Sequence, residues 1–128
     1  CGSDMHAYHG KDERRILPLI LGHEFSGTSL DGKFENKEVV INPLISCEKC
    51  DYCKNKIEHL CPNRTMIGMS TPIQRHGGLA ELVSVPEQNI FEVPKGLNMK
   101  EATSSGISFA PRIVSPCARP LRNFSTLS

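Results

Sequence analysis

Four cysteines crowded into one short stretch constrain this chain more than any other feature. Their spacing is Cys47-x2-Cys50-x2-Cys53-x7-Cys61. Thiolates at such spacings can converge on one tetrahedral ion, and zinc prefers four cysteines in sites that serve only structure. A site closed by four protein ligands leaves no position for a substrate. Residues 46–63, the cysteine lobe, are too few to bury a core of their own, so metal affinity would supply their stability.

Two other chemistries use cysteines at close spacing. Iron–sulfur ligation also uses a C-x2-C-x2-C run, and Cys61-Pro62 imitates the end of that pattern. The ferredoxin-type run, however, has three residues before its last cysteine, whereas this chain has seven. Disulfides between x2 pairs would close short, strained loops and would need an oxidising compartment. Structural zinc is the preferred interpretation, and an iron–sulfur electron carrier stays open as an alternative.

Size and charge exclude several classes of protein. The 128 residues are enough for one domain with a modest core. Fifteen basic and fourteen acidic side chains give a formal charge of +1, so there is no electrostatic reason to expect nucleic acid or an anionic membrane as a partner. No apolar run approaches the roughly 20 residues that span a bilayer, and no secretory signal opens the chain. We therefore expect a cytoplasmic protein.

The pattern of apolar residues predicts a β-rich domain with many turns. Strands are expected over 25–30, 38–42, 79–85 and 89–93, each bounded by glycine, proline or asparagine. Residues 1–15 read as a loop with room for one helical turn. In contrast, serine, arginine and proline dominate the last residues, with neither helical nor strand period. We expect this tail to be poorly ordered.

A second group of residues has the chemistry of a catalytic metal site. Cys1 and His23 are of the right types to bind zinc, and Asp4 or Glu24 could orient the imidazole by hydrogen bonding. Zinc held by few protein ligands keeps an open position, where it can polarise an alcohol oxygen. Taken alone, a cysteine near a chain end and a Gly-His-Glu triplet are more often surface or packing features.

Considered together, these segments resemble the zinc-dependent medium-chain dehydrogenases, the family of alcohol, sorbitol and threonine dehydrogenases. The matching pieces, in chain order, are CGSDMH, PLILGHEFSG, VVINP, the four-cysteine run, GGLAELVSVP and FEVP. Their order carries the resemblance, because each piece alone is unspecific. The resemblance covers about residues 1–102. It implies a mostly β fold, a partial GroES-like β-barrel over 1–102 that includes the cysteine lobe, followed by an atypical, disordered tail over 103–128.

The resemblance also implies roles for individual residues. Cys1 and His23 would bind a catalytic zinc ion, with Glu24 beside the metal as an exchangeable ligand. Asp4 would hydrogen-bond His23 and fix its tautomer. The structural zinc ligands would be Cys47, Cys50, Cys53 and Cys61. For catalysis, Ser3 would hydrogen-bond the substrate alcohol and pass its proton outward, with His6 as the next station.

The activity implied is that of an NAD- or NADP-dependent oxidoreductase. It would interconvert a small secondary alcohol, a polyol or sugar alcohol, with its ketone, in a parent protein that forms homo-oligomers. A non-catalytic, zinc-stabilised binding module is the alternative from another class. The charged run at 11–15 is expected to be a solvated face that borders the substrate entrance.

Three features depart from the family pattern. The chain begins at Cys1 rather than Met, so we expect residues before it, including a strand pair, to be missing. No Gly-x-Gly-x-x-Gly follows a strand, so no Rossmann domain is expected here. The family usually supplies another zinc ligand shortly after the position of Ala102, but no carboxylate, thiol or imidazole occurs there before Cys117. The abrupt change after Thr103 suggests a shifted reading frame, and we expect the chain alone to be inactive.

Overall fold

The computed structural model describes residues 2–103 and 112–114. Short strands and short helices, joined by turns, make up the regular structure in these ranges. The strands are β1 (Ser26–Ser29), β2 (Glu38–Ile41), β3 (Leu44–Ile45), β4 (Thr65–Met66), β5 (Leu82–Ser84), β6 (Ile90–Glu92) and β7 (Arg112–Val114). The helices are α1 (Gly2–Tyr8), α2 (Asp51–Lys54) and α3 (Met99–Ala102). Within the described ranges, no helix has the length and apolar character needed to cross a bilayer.

Five of these strands form one open sheet in the order β5-β7-β1-β2-β6. The β1, β2 and β6 strands pair antiparallel, whereas β7 runs parallel to both of its neighbours, β1 and β5. The β3 and β4 strands form a separate two-stranded sheet. In the sequence, β3 comes directly before the cysteine lobe and β4 follows it. The β5 and β6 strands are therefore the edges of the larger sheet.

The core lies on one face of this sheet, and the period of two along β2 explains why. Val39 and Ile41 are 0% and 5% exposed, whereas Glu38, the first residue of the strand, faces solvent. Phe25, which is 1% exposed, precedes β1 and packs into the same cluster. The other buried members of the cluster are Ile45, Ile67, Val83, Val85, Ile90 and Ile113.

Helix α3 holds the segment that ends at Thr103 against strand β1. Asn98 and Glu101 form a capping box, in which each side chain accepts a hydrogen bond from the backbone N–H of the other residue. The buried hydroxyl of Thr103 lies 2.7 Å from Ser26 Oγ. Residues 98–103 are thereby fixed against the strand that follows the predicted metal ligand His23.

The predicted strands all appear, each shortened by one to four residues: β1 lies within 25–30, β2 within 38–42, β5 within 79–85 and β6 within 89–93. The predicted helical turn is the seven-residue α1. Strand β7 was not expected, because it falls inside the segment 103–128 that lacks any strand period. Parallel pairing recruits the backbone of residues 112–114, and Ile113 is 0% exposed. The remainder of the predicted tail, 104–111 and 115–128, lies outside the described residues.

Candidate metal centres

The four thiols of the cysteine lobe converge on one point. All four sulfur atoms, those of Cys47, Cys50, Cys53 and Cys61, lie within 4.8 Å of one another. Cys50 Sγ is 3.4 Å from Cys53 Sγ and 3.8 Å from Cys61 Sγ. Cys47 Sγ is 3.9 Å from Cys53 Sγ. Zinc–sulfur bonds of about 2.3 Å in a tetrahedron place sulfur atoms about 3.8 Å apart, so this spacing matches a zinc–tetrathiolate centre.

The same distances are incompatible with disulfides. A sulfur–sulfur bond is about 2.05 Å long, and all four residues are free thiols. The chain curls tightly enough to bring them together because α2 starts directly after Cys50, and the amide of Lys54 bonds back to the Cys50 carbonyl at 3.0 Å. Two left-handed residues, Glu48 and Lys56, turn the backbone on either side of α2. The predicted convergence of the cysteine run is confirmed.

The surroundings of the thiols set their protonation in the absence of metal. Backbone N–H groups of Lys49 and Cys50 donate to the Cys47 sulfur and lower the pKa of this thiol to about 6. The N–H of Cys53 acts in the same sense on Cys50, but desolvation and the neighbouring thiols outweigh it and raise the pKa of Cys50 to about 11. The Cys47 sulfur is thus mostly thiolate at neutral pH, whereas metal binding must displace a proton from Cys50.

A second group forms around the buried imidazole of His23, which is 6% exposed. Its Nδ1 lies 3.4 Å from Asp4 Oδ2, which is within ion-pair distance but without the geometry of a hydrogen bond. With Nδ1 facing this carboxylate, Nε2 is the nitrogen left for a metal ion. The structure therefore brings together Asp4 of helix α1 and His23, two of the residues singled out in the sequence.

Three glycines hold the segment that carries His23. The N–H of Gly78 donates to the Gly22 carbonyl at 2.9 Å. A Cβ atom on Gly77 would lie 2.2 Å from that same carbonyl oxygen, and one on Gly78 would lie 2.4 Å from the Phe25 ring. Because only glycine permits this approach, the Gly77-Gly78 pair lies directly against the residues that flank His23.

Arg15 is a residue of this site that sequence reasoning missed. The prediction that the run 11–15 is a solvated face is wrong for Arg15, whose side chain is 2% exposed, and for Asp12, whose side chain is 8% exposed. The guanidinium of Arg15 lies 3.6 Å from Asp4 Oδ1 and 3.2 Å from Asp12 Oδ2. No local pattern distinguishes Arg15 from its exposed neighbour Arg14, because both contact Asp12 and the other partners of Arg15 lie elsewhere in the chain.

Asp12 contacts both the buried side chain of Arg15 and the exposed side chain of Arg14. Its carboxylate accepts hydrogen bonds from Arg14 Nε at 2.9 Å and from Arg14 Nη2 at 3.1 Å. These bonds, then the Arg14 backbone N–H and the charges of Arg14 and Arg15, outweigh desolvation and lower the pKa of Asp12 to about 2. Asp12 therefore remains ionised throughout the physiological range.

The other predicted site residues differ in their burial. Ser3 is half-buried on α1 and within reach of Arg15, Glu24 is half-buried beside His23, and His6 is exposed on α1. The predicted zinc ligand Cys1 and the distant Cys117 lie outside the described residues.

Comparison with known proteins supplies the family. Residues 1–95 match the family described as the alcohol dehydrogenase GroES-like domain. The chain is 34% identical over 112 residues to D-arabitol-phosphate dehydrogenase of Enterococcus avium, covering 82% of this chain and 31% of the relative. It is 32% identical over 108 residues to 2-dehydro-3-deoxy-L-galactonate 5-dehydrogenase of Pseudoalteromonas atlantica, covering 79% of this chain and 30% of the relative.

The solved structures agree with the sequence match. A crystal structure of an NAD-dependent alcohol dehydrogenase superimposes with a TM-score of 0.65 at 32% identity, covering 80% of this chain and 31% of the other. The chain thus spans about 30% of the length of the relatives it matches. The resemblance drawn from the order of the motifs is confirmed, and the chain belongs to the alcohol dehydrogenase GroES-like domain family.

Proposed function

We propose that this chain is the zinc-bearing domain of an oxidoreductase that interconverts a secondary alcohol with its ketone, using NAD or NADP. The observation that carries the proposal is the pairing of Asp4 with buried His23 in a chain that also gathers four thiols. A module that used zinc only for stability would need the thiols but would have no need of a buried carboxylate–imidazole pair. The match of residues 1–95 to the alcohol dehydrogenase GroES-like domain family supports the proposal.

The cysteine lobe would hold a structural zinc ion through Cys47, Cys50, Cys53 and Cys61. The fit rests on sulfur separations of 3.4 to 3.9 Å, close to the edges of a zinc-centred tetrahedron. Four thiolates complete the coordination, so this metal would fold the lobe without taking part in the reaction.

A catalytic zinc ion would be held by Cys1 and by Nε2 of His23, with Glu24 as an exchangeable ligand. The fit rests on the orientation of His23, whose Nδ1 is buried and faces Asp4. Bound there, zinc supplies a Lewis acid that polarises the alcohol oxygen. Asp4 holds the imidazole tautomer that leaves Nε2 unprotonated.

The proton of the alcohol would leave through side chains of helix α1. Ser3 would hydrogen-bond the substrate hydroxyl and pass its proton outward, and exposed His6 lies on the same helix as the next station.

The substrate is proposed to be a polyol or sugar alcohol. The relatives named for D-arabitol phosphate and for 2-dehydro-3-deoxy-L-galactonate are both dehydrogenases of sugar-derived compounds, and each is more than 30% identical to this chain. Residues 1–102 would form the domain, the intact protein would be a cytoplasmic homo-oligomer, and the nucleotide would bind to a part of the protein that these residues do not supply.

Elemental analysis of the chain, purified anaerobically without added metal, tests the metal assignment. One zinc per chain that resists weak chelators and is lost in Cys50→Ser would support the structural site. A second zinc that is lost in His23→Ala but kept in Cys50→Ser would support the catalytic site. Iron with inorganic sulfide would instead identify the electron-carrier alternative.

A chimera tests the reaction itself. Residues 1–95 of this chain would replace the matching span of D-arabitol-phosphate dehydrogenase, which supplies the rest of the enzyme. We expect polyol-dependent reduction of NAD or NADP, abolished by His23→Ala and retained by His59→Ala, an exposed histidine of the cysteine lobe. A folded, zinc-loaded chimera that reduces neither cofactor with any polyol would favour the non-catalytic binding module.

A further inference from the structure

The guanidinium of Arg15 is almost fully buried, and its donors reach helix α1, Asp12 and Gly68. Nε donates to the Gly68 carbonyl at 3.2 Å, and Nη1 donates to the Ser3 carbonyl and to Asp12 Oδ2. Nη2 lies 3.3 Å from the Ser3 hydroxyl and 3.6 Å from Asp4 Oδ1. One side chain thus contacts both residues of α1 that the proposed reaction uses at or beside the metal.

From this geometry we propose that Arg15 is a positioning residue, which fixes the Asp4 carboxylate against His23 and orients the hydroxyl of Ser3. The proposal rests on the function proposed above and assigns a role to a residue outside the motifs that define the site. Because its guanidinium contacts Asp4 and Ser3, Arg15 would act on the reaction through these two side chains.

The first part of the role concerns the two oxygens of Asp4. Oδ1 faces the Arg15 guanidinium, and Oδ2 faces Nδ1 of His23. Both contacts are at ion-pair distance and neither has the geometry of a hydrogen bond, so the attraction of the guanidinium for Oδ1 would keep the second oxygen directed at the imidazole. The guanidinium and the imidazole thus lie at opposite oxygens of one carboxylate, and a carboxylate directed at Nδ1 favours the tautomer with hydrogen on that nitrogen.

The second part concerns the hydroxyl of Ser3. Nη2 of Arg15 has only hydrogens to give, so the Ser3 oxygen is the acceptor in their contact. The hydrogen of Ser3 must therefore point to a different acceptor. A hydroxyl whose lone pair is occupied by a cation is a better hydrogen-bond donor, which suits a group that passes a proton along a relay.

The third part concerns the backbone. Arg15 ties the Ser3 carbonyl to the Gly68 carbonyl, and Gly68 packs so closely on Gly22 that a Cβ atom there would lie 3.0 Å from the Gly22 oxygen. Gly22 immediately precedes His23. The guanidinium therefore connects the start of α1 to the segment that holds the imidazole, which are otherwise separate stretches of chain.

Lysine cannot replace these contacts. Arginine presents five N–H donors in a rigid plane, whereas lysine presents three on one nitrogen atom. Arg15→Lys keeps the buried charge and hence the fold, but it cannot reach Gly68, Ser3 and Asp4 at once. Arg15→Met removes the charge as well and is the more severe variant.

The test is the tautomer of His23, measured by long-range proton–nitrogen NMR in the purified full chain at a pH where the ring is neutral. In the wild type we expect hydrogen on Nδ1. In Arg15→Lys we expect a mixture of tautomers and a 10- to 100-fold weaker affinity for the second zinc equivalent, the loss typical of groups that orient metal ligands. Arg14→Met, which changes an arginine whose side chain is 64% exposed, should alter neither.

Two controls keep the outcome interpretable. Amide resonances of β1 and β2 must match the wild type, and if Arg15→Met unfolds, Arg15→Lys decides. A folded Arg15→Lys protein with the wild-type tautomer overturns the positioning role, whatever the chimera does. Conversely, a chimera that stays active after His23→Ala refutes the proposed function, while the tautomer shift in Arg15→Lys would still stand.

Discussion

Ile113 lies opposite Val83 in the parallel register of β7 and β5, and both side chains are buried in the core. The same strand pairs on its other side with β1, where the Leu30 amide donates to the Ile113 carbonyl at 2.7 Å. Residues from a segment without any strand period therefore occupy the middle of the sheet. Without β7, the facing edges of β5 and β1 would have no strand between them.

Truncating the side chain of Ile113 should reveal how much the stability of the sheet depends on β7. Ile113→Ala is expected to lower the free energy of unfolding by about 2–5 kcal/mol, because it leaves a cavity in a fully buried position. Leu82→Ala, on the pairing strand but 45% exposed, should cost at most about 1 kcal/mol. Urea denaturation measures both. Equal stabilities of the two variants would mean that β7 adds nothing to the core.

The close approach of Gly77 to Gly22 makes a second prediction. Gly77→Ala should destabilise the protein by about 2 kcal/mol or more, since its Cβ atom would lie 2.2 Å from a backbone oxygen that cannot move aside alone. Gly2→Ala is the matched control, because its Cβ atom meets nothing within 4 Å, and alanine is preferred in a helix by up to about 1 kcal/mol. Thermal unfolding of both variants gives the comparison, and a Gly77→Ala protein as stable as wild type would contradict the packing.

Features with a local cause were predictable from the sequence. The spacing of the cysteines fixes how sharply the chain must curl, and the thiols of Cys47 and Cys61 do meet in one cluster. Alternation along β2 places Val39 and Ile41 in the core because each strand residue faces opposite to its neighbour. The pairing of Asp4 with His23 followed from the family pattern, which carries information about contacts distant in sequence.

Features with a distant cause were not predictable. Arg15 reads as one member of a charged run, and its burial depends on Gly68 and on helix α1, neither of which contributes to the local pattern. Likewise, Ile113 is buried because two strands from other parts of the chain meet around it. Parallel pairing uses backbone groups that every residue possesses, so composition gave no sign of it.

Asp12 predicts a dependence of stability on acid pH. Its pKa is lowered from 3.8 to about 2 in the folded chain, so the ionised carboxylate stabilises the fold above pH 4, and this stabilisation is lost as the pH falls from about 4 to about 2. Asp12→Asn should therefore be less stable than wild type at neutral pH, with the difference shrinking over that interval. Arg14→Met, which removes the largest cause of the shift, should raise the lower end of the interval and reduce the stabilisation by Asp12. Chemical denaturation at a series of pH values measures the difference, and a constant gap between wild type and Asp12→Asn would contradict the assignment.

Removing metal should unfold the cysteine lobe but leave the main sheet folded. Within the lobe, the residues that are buried are the ligands Cys53 and Cys61, so no apolar cluster replaces the metal when it leaves. The sheet, in contrast, has a core of its own around Phe25 and Val39. After chelation, hydrogen exchange should become fast for the Lys54 amide, which bonds to Cys50, and stay slow for the Ile41 amide, which bonds to Phe25. Cys61→Ser should reproduce the fast exchange without chelator, whereas Ser46→Ala should not. Loss of protection at both amides would show that the lobe and the sheet fold as one unit, and retention at both would show that the lobe needs no metal.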